Sequence, residues 1–215
     1  MIVEVVATGT ANTASVLAAL SRAGVRARIS RDLSAIEQAE AVVLPGVGTL
    51  SAAMRALRAH GLDEVIRRRV ADRRALLAIC LGMQILGEES EESPGVAGLG
   101  AVGFRIRRLS RARRLPHFGW SAVAADRHDA PASVLVSGEA YFAHSYGLVE
   151  VPQGWRAAWS DCGERFVSAI ESGPVVACQF HPELSGEYGR GLISRWIDRA
   201  RAESSRRADA SEAFT

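Results

Sequence analysis

Residues 75–86 read Ala-Leu-Leu-Ala-Ile-Cys-Leu-Gly-Met-Gln-Ile-Leu. The first five, 75–79, are wholly apolar, which is the pattern of a strand buried on both faces. A helical pattern begins directly after Cys80 and runs to about Leu86. A buried strand that yields to a helix at one reactive residue has the shape of a nucleophile elbow. Such a turn holds the nucleophile exposed at the C-terminal edge of a sheet. Small residues at Ala78 and Gly82 permit the sharp turn. A thiol at a helix start also gains from the positive end of the helix dipole, which favours thiolate. Taken alone, the segment fits a buried structural cysteine equally well.

The flanking sequence supports a sheet of parallel strands. Residues 2–6 form an apolar run, and 13–23 carry Val16, Leu17 and Leu20 on one helical face, with Gly24 just beyond. Residues 25–29 alternate as a second strand, 33–39 make a short helix, and 41–44 a third strand closed by Pro45-Gly46. Thr49 is placed to cap a helix over 50–59, and 63–71 is helical again. This β-α-β-α order predicts an α/β fold, with a mostly parallel central sheet flanked by helices. The second half is richer in strands, at 102–109, 119–124, 133–136, 141–142, 156–160, 166–171 and 174–180, which adds antiparallel strands to the sheet. A helix follows over 191–201. The expected organisation is one domain over 1–202 and a polar tail, 203–215, without periodicity and expected to be frayed or disordered.

Composition excludes several classes. The chain has 215 residues, 48% hydrophobic and 23% charged, ordinary globular usage. Net charge is +2, so nothing pulls it toward nucleic acid or membrane. All 26 basic residues are arginine, scattered throughout, which reads as codon bias. The stretch Arg105, Arg107, Arg108, Arg111, Arg113 and Arg114 reads as a solvated strand and turn. Three cysteines without a C-x-x-C pair make neither a disulfide framework nor a metal site. No apolar run is long enough to cross a bilayer, and the N-terminus lacks a signal-peptide pattern, so the expectation is a reduced, cytoplasmic protein.

Two further segments carry chemistry. In Gln179-Phe180-His181-Pro182-Glu183, extended backbone would put His181 and Glu183 on one face, and Pro182 holds His181 extended. A histidine able to touch a thiol, oriented by a carboxylate, activates a nucleophile. In Leu44-Pro45-Gly46-Val47-Gly48, glycines let backbone N–H groups turn outward, and with the N–H of Leu81 they could form an oxyanion hole. The full dinucleotide-binding pattern is absent here and after the first strand, which disfavours NAD. Pro116-His117-Phe118-Gly119-Trp120 and Tyr141-Phe142-Ala143-His144-Ser145-Tyr146 mix aromatic residues with histidine beside a strand.

Together, Ala78 to Gln84 and Gln179 to Glu183 resemble the class I, or triad, glutamine amidotransferases. Pro45 to Gly48, Pro116 to Trp120, Tyr141 to Tyr146, and Glu88-Glu89-Ser90-Glu91-Glu92 followed by Gly98-Leu99-Gly100, are most similar to the glutaminase subunits of imidazole glycerol phosphate synthase. The resemblance covers residues 1 to about 201 and implies a set of roles. Cys80 attacks the glutamine side-chain amide, His181 transfers protons, and Glu183 orients His181. N–H groups near Val47, Gly48 and Leu81 hold the oxyanion, while Gln84, Glu92, Ser145 and Tyr146 hold glutamine. No cofactor or metal is implied. The implied partner is a TIM-barrel cyclase subunit in a heterodimer, which uses the channelled ammonia to convert PRFAR to imidazole glycerol phosphate and AICAR. Three positions depart from the family pattern. The first turn, Ala7-Thr8-Gly9-Thr10-Ala11-Asn12, keeps only Gly9 and Asn12. Ala78 replaces a glycine. Leu184 replaces the lysine that usually follows His-Pro-Glu, an interface contact in the family.

Overall fold

A computed structural model describes residues 1–9, 12–126 and 133–212. The chain opens with β1 (Ile2–Val6), α1 (Thr13–Arg22), β2 (Arg26–Ser30), α2 (Leu33–Gln38) and β3 (Ala41–Gly46). It continues through α3 (Leu50–Ala59), α4 (Leu62–Ala71), β4 (Ala75–Cys80) and α5 (Leu81–Ile85). The side chains of Asn12, Asp32 and Thr49 each accept from a backbone N–H three residues on, satisfying donors that a helix start leaves free. Gly9 lies at φ +78°, which suits the glycine kept in the first turn, and Asn12 serves as the α1 cap. Thr10 and Ala11 lie outside the described residues.

Short strands β5 (Glu89–Ser90) and β6 (Arg105–Arg108) precede β7 (His117–Ala125), β8 (Gly138–His144), β9 (Tyr146–Gly147), β10 (Arg156–Asp161), β11 (Arg165–Ser172) and β12 (Val175–Cys178). A 3-10 turn at Pro182–Leu184 leads into α6 (Gly186–Glu212). Nine strands form one sheet in the order β2-β1-β3-β4-β12-β11-β10-β7-β8. The five from β2 to β12 run parallel to one another, and β11, β10, β7 and β8 extend the sheet in antiparallel fashion. One core layer joins α1 and α6 to the sheet around Trp196, Phe142, Phe166 and Phe180. The other joins α2, α3, α4 and α5 around Ile36, Leu57, Ile66 and Ile85.

The expected stop at Pro45-Gly46 does not occur. β3 runs through both residues and pairs Gly46 with Cys80, bringing the glycine turn to the elbow. Residues 133–136 form no strand. Val134 and Leu135 are buried, as an apolar run should be, but both N–H groups donate to the Glu171 carboxylate instead of to a neighbouring strand. The stretch expected as a frayed tail is helical as far as Glu212. Glu203 pairs with Arg206 and Arg207 one turn on, and Arg207 donates to the Asp72 carbonyl at 2.5 Å. The arginine stretch is locally paired: Arg105 with Glu88 and Glu89, Arg107 with Glu164.

Candidate active site

Cys80 ends β4 at φ 53° and ψ −110°, a conformation costly for a residue with a Cβ. Strain of this kind persists only where the surroundings impose it. They do so here: a Cβ on Gly82 would lie 2.0 Å from the Leu44 carbonyl oxygen, and one on Gly46 would lie 3.0 Å from the Leu81 Cβ. The two βα turns therefore approach at a distance only glycine permits, and the chain must turn sharply at Cys80.

β12 lies beside β4, and the segment after it carries His181 to the thiol. The His181 ring is hydrogen-bonded through Nδ1 to Glu183 Oε1 at 2.8 Å, and Cys80 lies on its other side, where it helps to raise the ring's pKa. Extended backbone is not what joins His181 to Glu183. His181 is extended, but Pro182 starts a 3-10 turn that folds Glu183 back beneath the ring. Both side chains are nearly buried. Burial alone would lower the His181 pKa; hydrogen bonds to Cys80 and Glu183, and the negative charge both can carry, outweigh it and raise it to about 10. The imidazole is therefore held as a cation with its second N–H toward sulfur.

A cavity of about 210 Å³ opens over Cys80. Val47, Gly48, Leu81, Gln84, Glu92, Ser145, Tyr146 and His181 line it, so every residue singled out in sequence for oxyanion or glutamine contact faces one space. Gly48 lies at φ +92°. Burial raises the Glu92 pKa, against the hydrogen bond it accepts from the Leu50 backbone. A larger groove of about 930 Å³ lies between β5, β6 and residues 148–153, with neither cysteine nor histidine in its lining. Among the described residues no group of three or more His, Cys, Asp and Glu is placed to hold a metal.

Two cavity neighbours were not assigned roles from sequence. Ala143 and His144 complete the wall. His144 Nδ1 lies 2.9 Å from the Tyr146 carbonyl, which can only accept, so that nitrogen carries the proton. Burial, with His117 and His181 nearby, lowers the His144 pKa to about 3 despite this hydrogen bond, and the ring is neutral. Outside the lining, Gln179, also without a role from sequence, lies beneath the thiol and donates from Nε2 to Cys80 Sγ at 3.6 Å. The motif Gln179 to Glu183 contained it, but only the packing shows where its amide points.

The glutamine amidotransferase class-I family model matches residues 4–197. Curated relatives include imidazole glycerol phosphate synthase subunit HisH of Streptococcus gordonii, 41% identical over 187 residues, 86% of this chain and 90% of the relative. The subunit of the same name from Leifsonia xyli is 40% identical over 206 residues, covering 88% and 94%. That of Methanothermobacter thermautotrophicus is 37% identical over 198 residues, covering 90% and 96%. Among solved structures, a glutamine amidotransferase aligns with TM-score 0.75 over 93% of this chain and 99% of its own, at 22% identity. PurLQS from Thermotoga maritima aligns with TM-score 0.70 over 92% and 97%, at 18% identity. At such identities the structural likeness speaks for the fold. The chain belongs to the class I glutamine amidotransferase family, and within it to the HisH family.

Proposed function

We propose that this chain is the glutaminase subunit of imidazole glycerol phosphate synthase, with Cys80, His181 and Glu183 as its catalytic triad. The observation that carries this reading is the strained Cys80 beside His181, whose ring Glu183 holds through Nδ1, at the floor of a cavity fit for one amino acid. The Cys80 sulfur adds to the side-chain amide carbon of glutamine. N–H groups of Val47, Gly48 and Leu81 receive the developing oxyanion. His181 gives its proton to the departing ammonia, leaving a glutamyl thioester on Cys80. The neutral imidazole then takes a proton from water as that water attacks the thioester, and glutamate leaves. Glu183 keeps the ring oriented throughout. Glu92, Ser145, Tyr146 and Gln84 bind the amino-acid end. Gln84 contributes its oxygen, because its Nε2 is committed to Tyr146 and Gln179.

A chain that releases ammonia for use elsewhere needs a receiver. Val47, Phe118, Trp120 and Leu184, from the elements around the site, are exposed apolar side chains. Phe118 and Trp120 flank Tyr141 edge-on, at 5.7 and 6.2 Å between ring centroids. Exposed apolar groups of this size fit a protein interface. The partner we assign to it is the TIM-barrel cyclase, in a cytoplasmic heterodimer that converts PRFAR to imidazole glycerol phosphate and AICAR. The test is to assay the complex with glutamine and, separately, with ammonium salts. Cys80→Ala should abolish glutamine-dependent synthesis and leave the ammonium-dependent rate nearly intact. Loss of both rates, or survival of the first, rules the assignment out.

A further inference from the structure

Beneath the cavity a hydrogen-bonded chain runs with a single polarity. Gln84 Nε2 donates to the Tyr146 carbonyl at 3.0 Å and to Gln179 Oε1 at 2.9 Å. A backbone carbonyl cannot donate, so the Gln84 atom facing it must be the nitrogen, and the orientation of this amide is fixed. Its second N–H then requires an acceptor, which obliges Gln179 to turn its oxygen toward Gln84 and its NH₂ toward Cys80. His144 Nδ1 donates to the same Tyr146 carbonyl at 2.9 Å and holds it from the other side. Gln179 is completely buried and Gln84 nearly so, leaving no water to take over these bonds. The backbone of Gln179 is pinned as well, its N–H donating to the Ser168 carbonyl at 2.8 Å.

We infer that Gln179 is a positioning residue for the nucleophile: its amide N–H holds the Cys80 sulfur as an acceptor, and Gln84, through the Tyr146 carbonyl, fixes which end of the amide faces that sulfur. This rests on the proposed role of Cys80. A buried thiolate is costly unless donors reach it. His181 supplies one donor and is consumed as an acid during the reaction, whereas Gln179 supplies one that has no proton to lose. A hydrogen bond to the charged form favours that form and fixes the direction of the remaining lone pairs. The same geometry ties recognition to reactivity, because the Gln84 amide whose nitrogen orients Gln179 keeps its oxygen for substrate.

The readout is the rate of Cys80 alkylation by iodoacetamide in the full chain across pH, resolved by peptide mass spectrometry. The other titratable groups facing Cys80 are His181, the Cys178 thiol below it, and His144, Glu92 and Tyr146 across the cavity; all stay in place. Gln179→Met removes the donor at similar volume. It should slow alkylation at neutral pH about tenfold, equivalent to about 1.4 kcal/mol, and move the profile to higher pH. Gln84→Met should shift it in the same direction, and the double variant should be no slower than Gln179→Met alone, since the two act in series. A folded Gln179→Met with the unmodified chain's profile overturns the inference. If that variant does not fold, an unchanged profile in Gln84→Met overturns it instead. The nucleophile assignment is judged separately: glutaminase activity surviving in Cys80→Ala would defeat that role and leave the alkylation result standing.

Discussion

His181 is the residue on which stability and chemistry meet. Its pKa is raised from 6.5 to about 10, against the effect of burial. A histidine raised in the folded state binds its proton more tightly than in the unfolded chain. Its contribution to stability is therefore complete below about pH 6.5 and is lost as pH rises through 10. Urea unfolding of the native chain and of His181→Asn should give midpoints whose gap narrows steadily between these values; a gap constant across that range would show that His181 is not held as a cation. The cysteines divide on similar grounds. Burial pushes the Cys178 thiol well above its ordinary range, and burial with Asp161 and Glu164 nearby raises Cys162. A glutamine-like electrophile should therefore label Cys80 alone, and earlier labelling of Cys162 or Cys178 by mass spectrometry would count against it.

At the scale of elements, the elbow depends on how closely the turn after β3 approaches the start of α5. Gly82→Ala places a methyl group 2.0 Å from the Leu44 oxygen, a backbone atom that cannot swing aside. The expected cost is about 1–3 kcal/mol, as for other forced overpacking, and glutaminase activity should fall with it; a urea midpoint equal to the native one would mean that the turns can separate. The elbow was legible in sequence because each signal was local: an apolar run, a cysteine and a glycine within eight residues. The histidine and carboxylate were legible too, although a 3-10 turn rather than extended backbone brings them together. What sequence could not disclose depends on contacts between distant residues. Val134 and Leu135 looked like a strand, but the Glu171 carboxylate occupies their N–H groups from across 36 or 37 positions. Gln179 stands 95 residues from the side chain that orients it. The end of α6 has no apolar periodicity and is held by surface ion pairs, each worth about 0.2–1 kcal/mol. Ala200 is its last core residue among those described. Truncation after Arg201 should therefore cost about 1 kcal/mol by urea unfolding and spare activity, whereas a much larger loss would assign the extension a role in the core.

The whole molecule is a sheet of two characters. Its parallel strands end beside Cys80, and its antiparallel extension, through β7 and β8, carries both the cavity wall and exposed aromatics. Leu184 joins these functions, since it follows Glu183 directly and is 43% exposed. Lysine, the usual residue at this position in the family, can pair with a carboxylate across an interface; leucine cannot. A carboxylate left buried and unpaired opposite Leu184 would cost about 1–3 kcal/mol or more. The cyclase that matches this chain should accordingly present an apolar surface there, continuous with contacts made by Phe118 and Trp120. Association at this position would then rest on packing, which salt screens little. Leu184→Lys should weaken the native complex or leave it unchanged, and its affinity should respond more steeply to ionic strength. Isothermal titration of the two subunits at low and high salt measures both effects. Tightening by about tenfold, roughly 1.4 kcal/mol, would mean that the cyclase still carries the acidic residue, and that Leu184 leaves a charge unpaired instead of filling an apolar contact.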